Sequence, residues 1–485
     1  NAIEVVQQRD DEDFDPEDMN YNTFRRITTD SAFAIGPSRA NPLTGEILDA
    51  DILFDADFIR YWKHERQIHG PSGRMYEPIS PIQAMDSGWG LNTDLLARSR
   101  GGWNDRERPQ AFDPRMAAIQ QGVCQCGSHT KMELGLASLA IGGLEFDLGQ
   151  EKKDGKDPKK DDKNGKDGKD GKEPKKDDPK AKEREQELDR LIQQAVKEVV
   201  MHEVGHTLGL RHNFKASTML PAAQLHDTKI TREKGLVGSV MDYSPVNLAP
   251  KGVKQGDYFT TTIGPYDYWA IEYAYKPDAN PDELKKIASR GAEPGLDYGT
   301  DEDTFLTADP NTNRFDLGAD VLDFARSRVL AAEELLKTAA TKVIDDGEGH
   351  QRVRVAFMML LSEYGNGAYL MSKFVGGEHA HRDHRNDPKG RDPLVPVDAA
   401  KQREALKFLQ EHILTDRPFD FPPELLRKLA VERWLHWGAG YSSTDFPVYD
   451  RVLGIQRLAL NQLLSARTLQ RVQANALKVD KAAKP

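Results

Sequence analysis

Residues 202–212, HEVGHTLGLRH, constrain the fold of this 485-residue chain more than any other stretch. On a helix His202 and His206 stand roughly 40° apart and can turn two ring nitrogens toward one point. Upstream, Leu188, Leu191, Ile192, Ala195 and Val199 recur at helical spacing, and their apolar stripe runs into the histidine pair. Gly209 marks where such a helix can stop, because a residue without Cβ enters the left-handed conformation at little cost. The turn then brings His212 back toward the other two. Three imidazoles with one position left for water are the donor set of a catalytic zinc site. Glu203, beside the first histidine, is placed to take a proton from water at the metal without being a ligand. A lone histidine pair would read as satisfied helix residues. The full H-E-x-x-H-x-x-G-x-x-H spacing arises by chance on the order of once in ten thousand such sequences, so the metal reading is preferred.

Bulk properties narrow the rest. Lys and Arg number 67 against 78 Asp and Glu, a net charge of −11, and no basic patch with interleaved aromatics appears. Nucleic acid is therefore excluded as the main partner, since phosphate binding needs a basic footprint. The longest strongly apolar stretch, Leu134 to Leu144, is about half of the roughly 20 residues needed to span a bilayer. The chain enters directly, after Asn1, a strand-like AIEVV, which suggests a fragment or processed product with any targeting signal upstream. Cys124 and Cys126 are the only cysteines, too few for a disulfide framework or a four-thiolate metal site, and read as small buried thiols.

The clearest internal boundary is the run 151–185, rich in Lys, Asp, Gly and Glu and almost free of apolar residues. Nothing in it offsets ordering entropy, so it reads as a disordered charged insert. Upstream, NTFRRITT (22–29) and GEILDADILF (45–54) read as strands, with NPLTG (41–45) as a turn. Beyond residue 280 apolar periodicity predicts helices in 321–339, 352–364, 398–414, 423–437 and 449–470. Within 298–320, Asp309, Asn311, Asn313 and Asp320 echo calcium-loop positions, but Arg314 stands where a glycine is needed, so a solvated turn cluster is the preferred reading. His379, His381 and His384 in EHAHRDH are metal-ligand candidates; their charged neighbours favour a solvated loop.

HEVGHTLGLRH followed by SVMDY at 239–243 resembles the metzincin clan of zinc metallopeptidases, whose zinc motif precedes a Met-turn. AFAIGPSRANPLTGEILDADILFD, RHNFKAS, SVMDYSPVN and IGPYDYWAIEYAY are similar to large bacterial zinc-dependent metallopeptidases with a Met-zincin domain and a helical C-terminal extension, which AAKQREALKFL (399–409) also resembles. The resemblance implies an α+β fold: a metzincin-like catalytic domain over 1–280, with a twisted mixed sheet over the zinc helix, then a mainly α-helical C-terminal extension over 281–485. It assigns His202, His206 and His212 as zinc ligands, Glu203 as general base, Met241 as an apolar floor beneath the metal and Tyr243 as an oxyanion donor. An edge strand near Phe33 to Ser38 would pair with extended substrate, and a secreted, periplasmic or cell-surface location is implied. Three departures stand out: Asn213 follows the third histidine where astacins have Glu and serralysins Pro, the first strand and long helix of the metzincin sheet are missing, and the charged insert directly precedes the zinc helix.

The expectation is therefore a zinc endopeptidase acting on peptide or protein substrates through a metal-activated water. Its rivals are a binding or assembly module stabilised by zinc, against which the intact Glu203 speaks, and a zinc hydrolase acting on a non-peptide substrate. The oligomeric state is not readable.

Overall fold

A computed structural model describes residues 4–13, 15–28, 34–55, 133–137, 179–250, 252–306, 308–344, 347, 349–431 and 444–479. Cys124, Cys126, Phe33 and residues 151–178 of the charged run lie outside them.

There are five short strands, all but the third carrying β-branched or aromatic residues: β1 (Phe24–Ile27), β2 (Ala34–Ile35), β3 (Ser38–Ala40), β4 (Ile47–Ala50) and β5 (Ile52–Asp55). β5 lies between β1, its parallel partner with Phe24 opposite Ile52, and β2, antiparallel with Ala34 opposite Phe54. The sheet is thus mixed, and among the described residues β2 is an edge strand. β3 and β4 form a hairpin closed over Asn41–Gly45, where the turn was expected. GEILDADILF is two strands rather than one, broken at Asp51, whose carboxylate accepts from the Thr23 amide and hydroxyl. Residues 4–6 of AIEVV form no strand; Val5 and Val6 stand in solvent, with no neighbouring strand among the described residues to complete a ladder.

The long helix α1 (Pro179–Thr207) packs against β2 and β5 and buries the predicted stripe Leu191, Ile192, Ala195 and Val199. It begins inside the run read as a disordered insert. Residues 179–185 are helical because Lys, Ala, Glu and Arg, although charged or small, are strong helix formers, and a proline suits the first helical position. After α1 come α2 (Thr228–Lys234), α3 (Pro265–Tyr275), α4 (Pro281–Ala288) and the single acidic turn-and-a-half α5 (Asp301–Leu306).

The remainder is mainly helical: α6 (Val321–Leu336), α7 (Ala339–Lys342), α8 (Gln351–Ser372), α9 (Ala399–His412), α10 (Pro423–Arg427), α11 (Val448–Leu463) and α12 (Ala466–Asn475), with a hairpin of β6 (Glu378–Ala380) and β7 (Leu394–Pro396). α8 is apolar nearly all round and therefore central, against α6, α7, α9 and α11. The periodicity over 449–470 is divided at Ser465, whose hydroxyl caps α12 by accepting from the Thr468 amide. No helix among the described residues is long and apolar enough to cross a membrane.

The two halves share packing. Leu136 belongs to the helical core, while Leu134 and Ala137, in the same helical stretch 133–137, belong to the core around α1. Arg328 of α6 is buried between Glu133 (3.0 Å) and Glu363 of α8 (2.7 Å), and Glu133 also accepts from the Val246 amide. A cation with two acids around it is a costly arrangement to break, because removing one member strands the others in a dry interior.

Candidate metal centre

α1 ends as the glycine requires. Gly209 adopts φ 84°, its amide donates to the His206 carbonyl (2.9 Å), and the Leu210 amide reaches the Gly205 carbonyl (3.0 Å), which closes the helix end and reverses the chain. His202, His206 and His212 are thereby gathered, with one donor atom from each within 4.8 Å of the others. The Nδ1 of every ring is tied to an oxygen: His202 to the Val240 carbonyl (2.7 Å), His206 to the Leu210 carbonyl (3.0 Å) and His212 to the Asp301 carboxylate (2.9 Å). Because an oxygen of this kind accepts, the hydrogen sits on Nδ1 and the Nε2 lone pair is the ligating one. Three such imidazoles fit zinc better than hard oxygen-seeking cations.

Glu203 is fully buried beside this triad. The strand segment after β2 passes it so closely that a Cβ on Gly36 would stand 2.4 Å from the Glu203 carbonyl oxygen. The turn 239–243 is fastened from α3: Asp267 accepts from the Ser239 hydroxyl (2.6 Å) and the amides of Val240 (3.0 Å) and Gly264 (2.8 Å). Met241, fully buried, lies under α1 with its sulfur close to where a Cβ on Gly205 would be, so a larger residue at 205 would force the Met241 side chain to move. The Tyr243 hydroxyl donates to His212 Nε2 (2.9 Å), which places it at the nitrogen that would face the ion.

Residues that motif reasoning missed complete the surroundings. Asn213, buried, accepts from the Gly299 and Lys215 amides and donates to the Asp297 carbonyl, so the position at which astacins and serralysins differ here ties the third-ligand loop to residues 297–299. Phe214 stacks on His212 (centroids 5.0 Å apart), and the Arg314 guanidinium lies over both Phe214 (4.8 Å) and Tyr243 (5.6 Å). A cavity of about 10 Å³, room for roughly one water, opens beside His202 between Glu198, Val199, Tyr243, Ser244 and Phe315. Asp301, Arg314 and Phe315 come from the stretch expected in the C-terminal extension.

Buried acids around the site divide by their partners. Burial without a cation pushes Glu198 up to about 8, against weaker hydrogen bonds from Ser244 and Thr260. Asp242 and Asp316 are raised in the same way, burial first and, at Asp242, each other's charge second. Burial also opposes ionisation of Asp301, but the hydrogen bond from His212 and the charge of Arg314 outweigh it and hold the carboxyl low.

The cluster at 309–313 reads as a solvated turn in the sequence, but the structure buries it. Asp309 and Asn313 are buried, and the compensating cations come from afar: Lys215 Nζ reaches Asp309 (2.7 Å) and Lys373 Nζ reaches Asn313 (2.7 Å). Three residues of the calcium reading are thus each taken by a different lysine, the third, Asp320, by Lys401. His379 and His381 belong to the β6–β7 hairpin and its exit rather than to a solvated loop, half-buried near Asp309 (3.5 Å) and Asp297 (3.8 Å), while His384 is exposed. Among the described residues only His202, His206 and His212 group as possible metal ligands.

A helix-borne histidine pair, a third histidine beyond a glycine stop and a methionine packed against the helix at Gly205 make up a metzincin-type metal site. The chain belongs to the Met-zincin family, whose model matches residues 184–485, and the family implies a zinc metallopeptidase type of function. No curated protein and no solved structure matches it.

Proposed function

We propose that this chain is a zinc-dependent endopeptidase, with His202, His206 and His212 as the ligands, Glu203 as general base and the turn at Met241 as the Met-turn. The observation that carries the reading is the convergence of three imidazoles, each with Nδ1 already committed, next to a buried glutamate on the same helix. Zinc held by these three imidazoles would supply Lewis acidity, polarising the scissile carbonyl and lowering the pKa of water toward about 7. Glu203 takes the proton of the attacking water and returns it to the leaving amine. Its full burial within α1 keeps that carboxylate in the site for both transfers. The Tyr243 hydroxyl, which turns from His212 Nε2 once that nitrogen is committed to the metal, is free to donate to the oxygen on which charge develops. The edge at β2 offers main-chain groups for an extended peptide to pair with, beside Glu203.

The test is digestion of an unbiased peptide library by zinc-loaded protein. Cleavage inside peptides, abolished by a chelator and restored by zinc, is the expected result. A zinc-loaded protein that leaves every peptide intact would overturn the peptidase reading and favour a binding module.

A further inference from the structure

We infer that Asp301 is the positioning residue for the third metal ligand, so that metal affinity depends on α5, far outside the histidine motif. The inference rests on the metal-site reading above.

His212 stands past the end of α1, and its ring nitrogen is held by a side chain rather than by the main chain. That side chain is itself fixed at both oxygens. Asp301 Oδ2 accepts from His212 Nδ1 (2.9 Å) and Oδ1 accepts from Arg314 Nη2 (3.0 Å), with carboxylate and guanidinium both buried. Arg314 is in turn anchored over the rings of Phe214 and Tyr243, the first of which stacks on His212. The neighbouring acids of α5 grip neighbouring bases: Glu302 takes Arg211 Nη2 with both oxygens (2.8 and 2.7 Å), and Asp303 takes Arg382 (2.6 Å) and the Thr300 amide (2.8 Å). The consecutive pair Arg211–His212 is therefore read by the consecutive pair Asp301–Glu302. A carboxylate accepting from Nδ1 fixes the ring's tautomer and direction and makes Nε2 a better donor to a metal, and losing such a partner weakens metal binding by about 10- to 100-fold.

Asp301→Asn removes the carboxylate from His212: whichever way the carboxamide turns, Nδ1 meets a neutral oxygen or an NH2 group, and the single oxygen cannot also serve Arg314. Zinc Kd is measured on metal-free protein by chelator competition, below its melting temperature, for wild type, Asp301→Asn, Arg314→Gln and Glu302→Gln. The expected result is a zinc Kd weakened about 10- to 100-fold in Asp301→Asn, and by clearly less in Arg314→Gln, which keeps the His212 contact, and in the exposed-pair variant Glu302→Gln. A Kd in Asp301→Asn within about threefold of wild type, or one equal to that of Arg314→Gln, would overturn the inference; the second outcome would make Asp301 a packing residue acting through Arg314. If Asp301→Asn does not fold, Asp301→Glu asks the same question by moving the carboxylate roughly one C–C bond, about 1.5 Å, with charge kept. A weakened Kd supports positioning and an unchanged one contradicts it. Failure of wild type itself to bind one zinc is a separate outcome, and overturns the metal-site reading.

Discussion

Two of the three candidate ligands are held by main-chain atoms and the third by a side chain. His202 and His206 stand on one helix and donate to the carbonyls of Val240 and Leu210, which remain whatever side chains occupy those positions. His212 stands beyond the helix and donates to a carboxylate 89 residues further along. The helix side is thus written into local geometry, whereas the loop side exists only once distant packing has delivered Asp301 and Arg314. Buried acids follow the same division. Glu198, one turn before His202, is held neutral for want of a cation, while Asp301 is held ionised between an imidazole and a guanidinium.

The sharpest way to break this comparison is to remove ligands. His206→Ala and His212→Ala should each weaken zinc binding by more than about 100-fold, beyond the loss expected for an outer partner, as read by metal content after dialysis against a chelator. Equal zinc affinity in His212→Ala and wild type would mean that the third ligand is misassigned.

A smaller effect separates the two acids by pH. The raised carboxyl of Glu198 contributes stability that is complete below its usual value of 4.5 and is lost as pH rises through about 8. The lowered carboxyl of Asp301 contributes stability above its usual 3.8 that is lost as pH falls through its lower folded value. Melting temperature of the metal-free protein from acid to pH 9 should therefore fall less steeply on the alkaline side in Glu198→Gln. The same curve should fall less steeply on the acid side in Asp301→Asn. The Glu198→Gln curve keeps some alkaline slope, because Asp242 and Asp316 are raised as well. Parallel curves for all three proteins would show that neither carboxyl is perturbed by its surroundings.

What was legible in the sequence follows the same line between local and distant causes. Helical spacing placed His202 and His206, and the glycine at 209 placed the stop, because both are consequences of residues within one turn of each other. The turn at 41–45 and most helices after 320 were legible for that reason too. Asp301 was not, since nothing at 301 marks it as the partner of 212. The cluster at 309–313 read as solvated because its cations, Lys215 and Lys373, are 94 and 60 residues away from the groups they reach. The start of α1 was misplaced because a Lys- and Glu-rich run signals a solvated surface and a strong helix former alike. AIEVV has strand propensity, but a strand needs a neighbour, which a single-segment reading does not contain.

The central claim, that this site performs hydrolysis as well as holding a metal, is tested most directly by Glu203→Gln, with zinc content and peptide cleavage measured on the same preparation. Glu203 is buried beside the triad and assigned to proton transfer rather than to ligation. Full zinc occupancy with cleavage reduced by several orders of magnitude is the result the account predicts, since general-base transfer alone accounts for roughly 10²- to 10⁴-fold. Cleavage of the same peptide at the wild-type rate by zinc-loaded Glu203→Gln would contradict it.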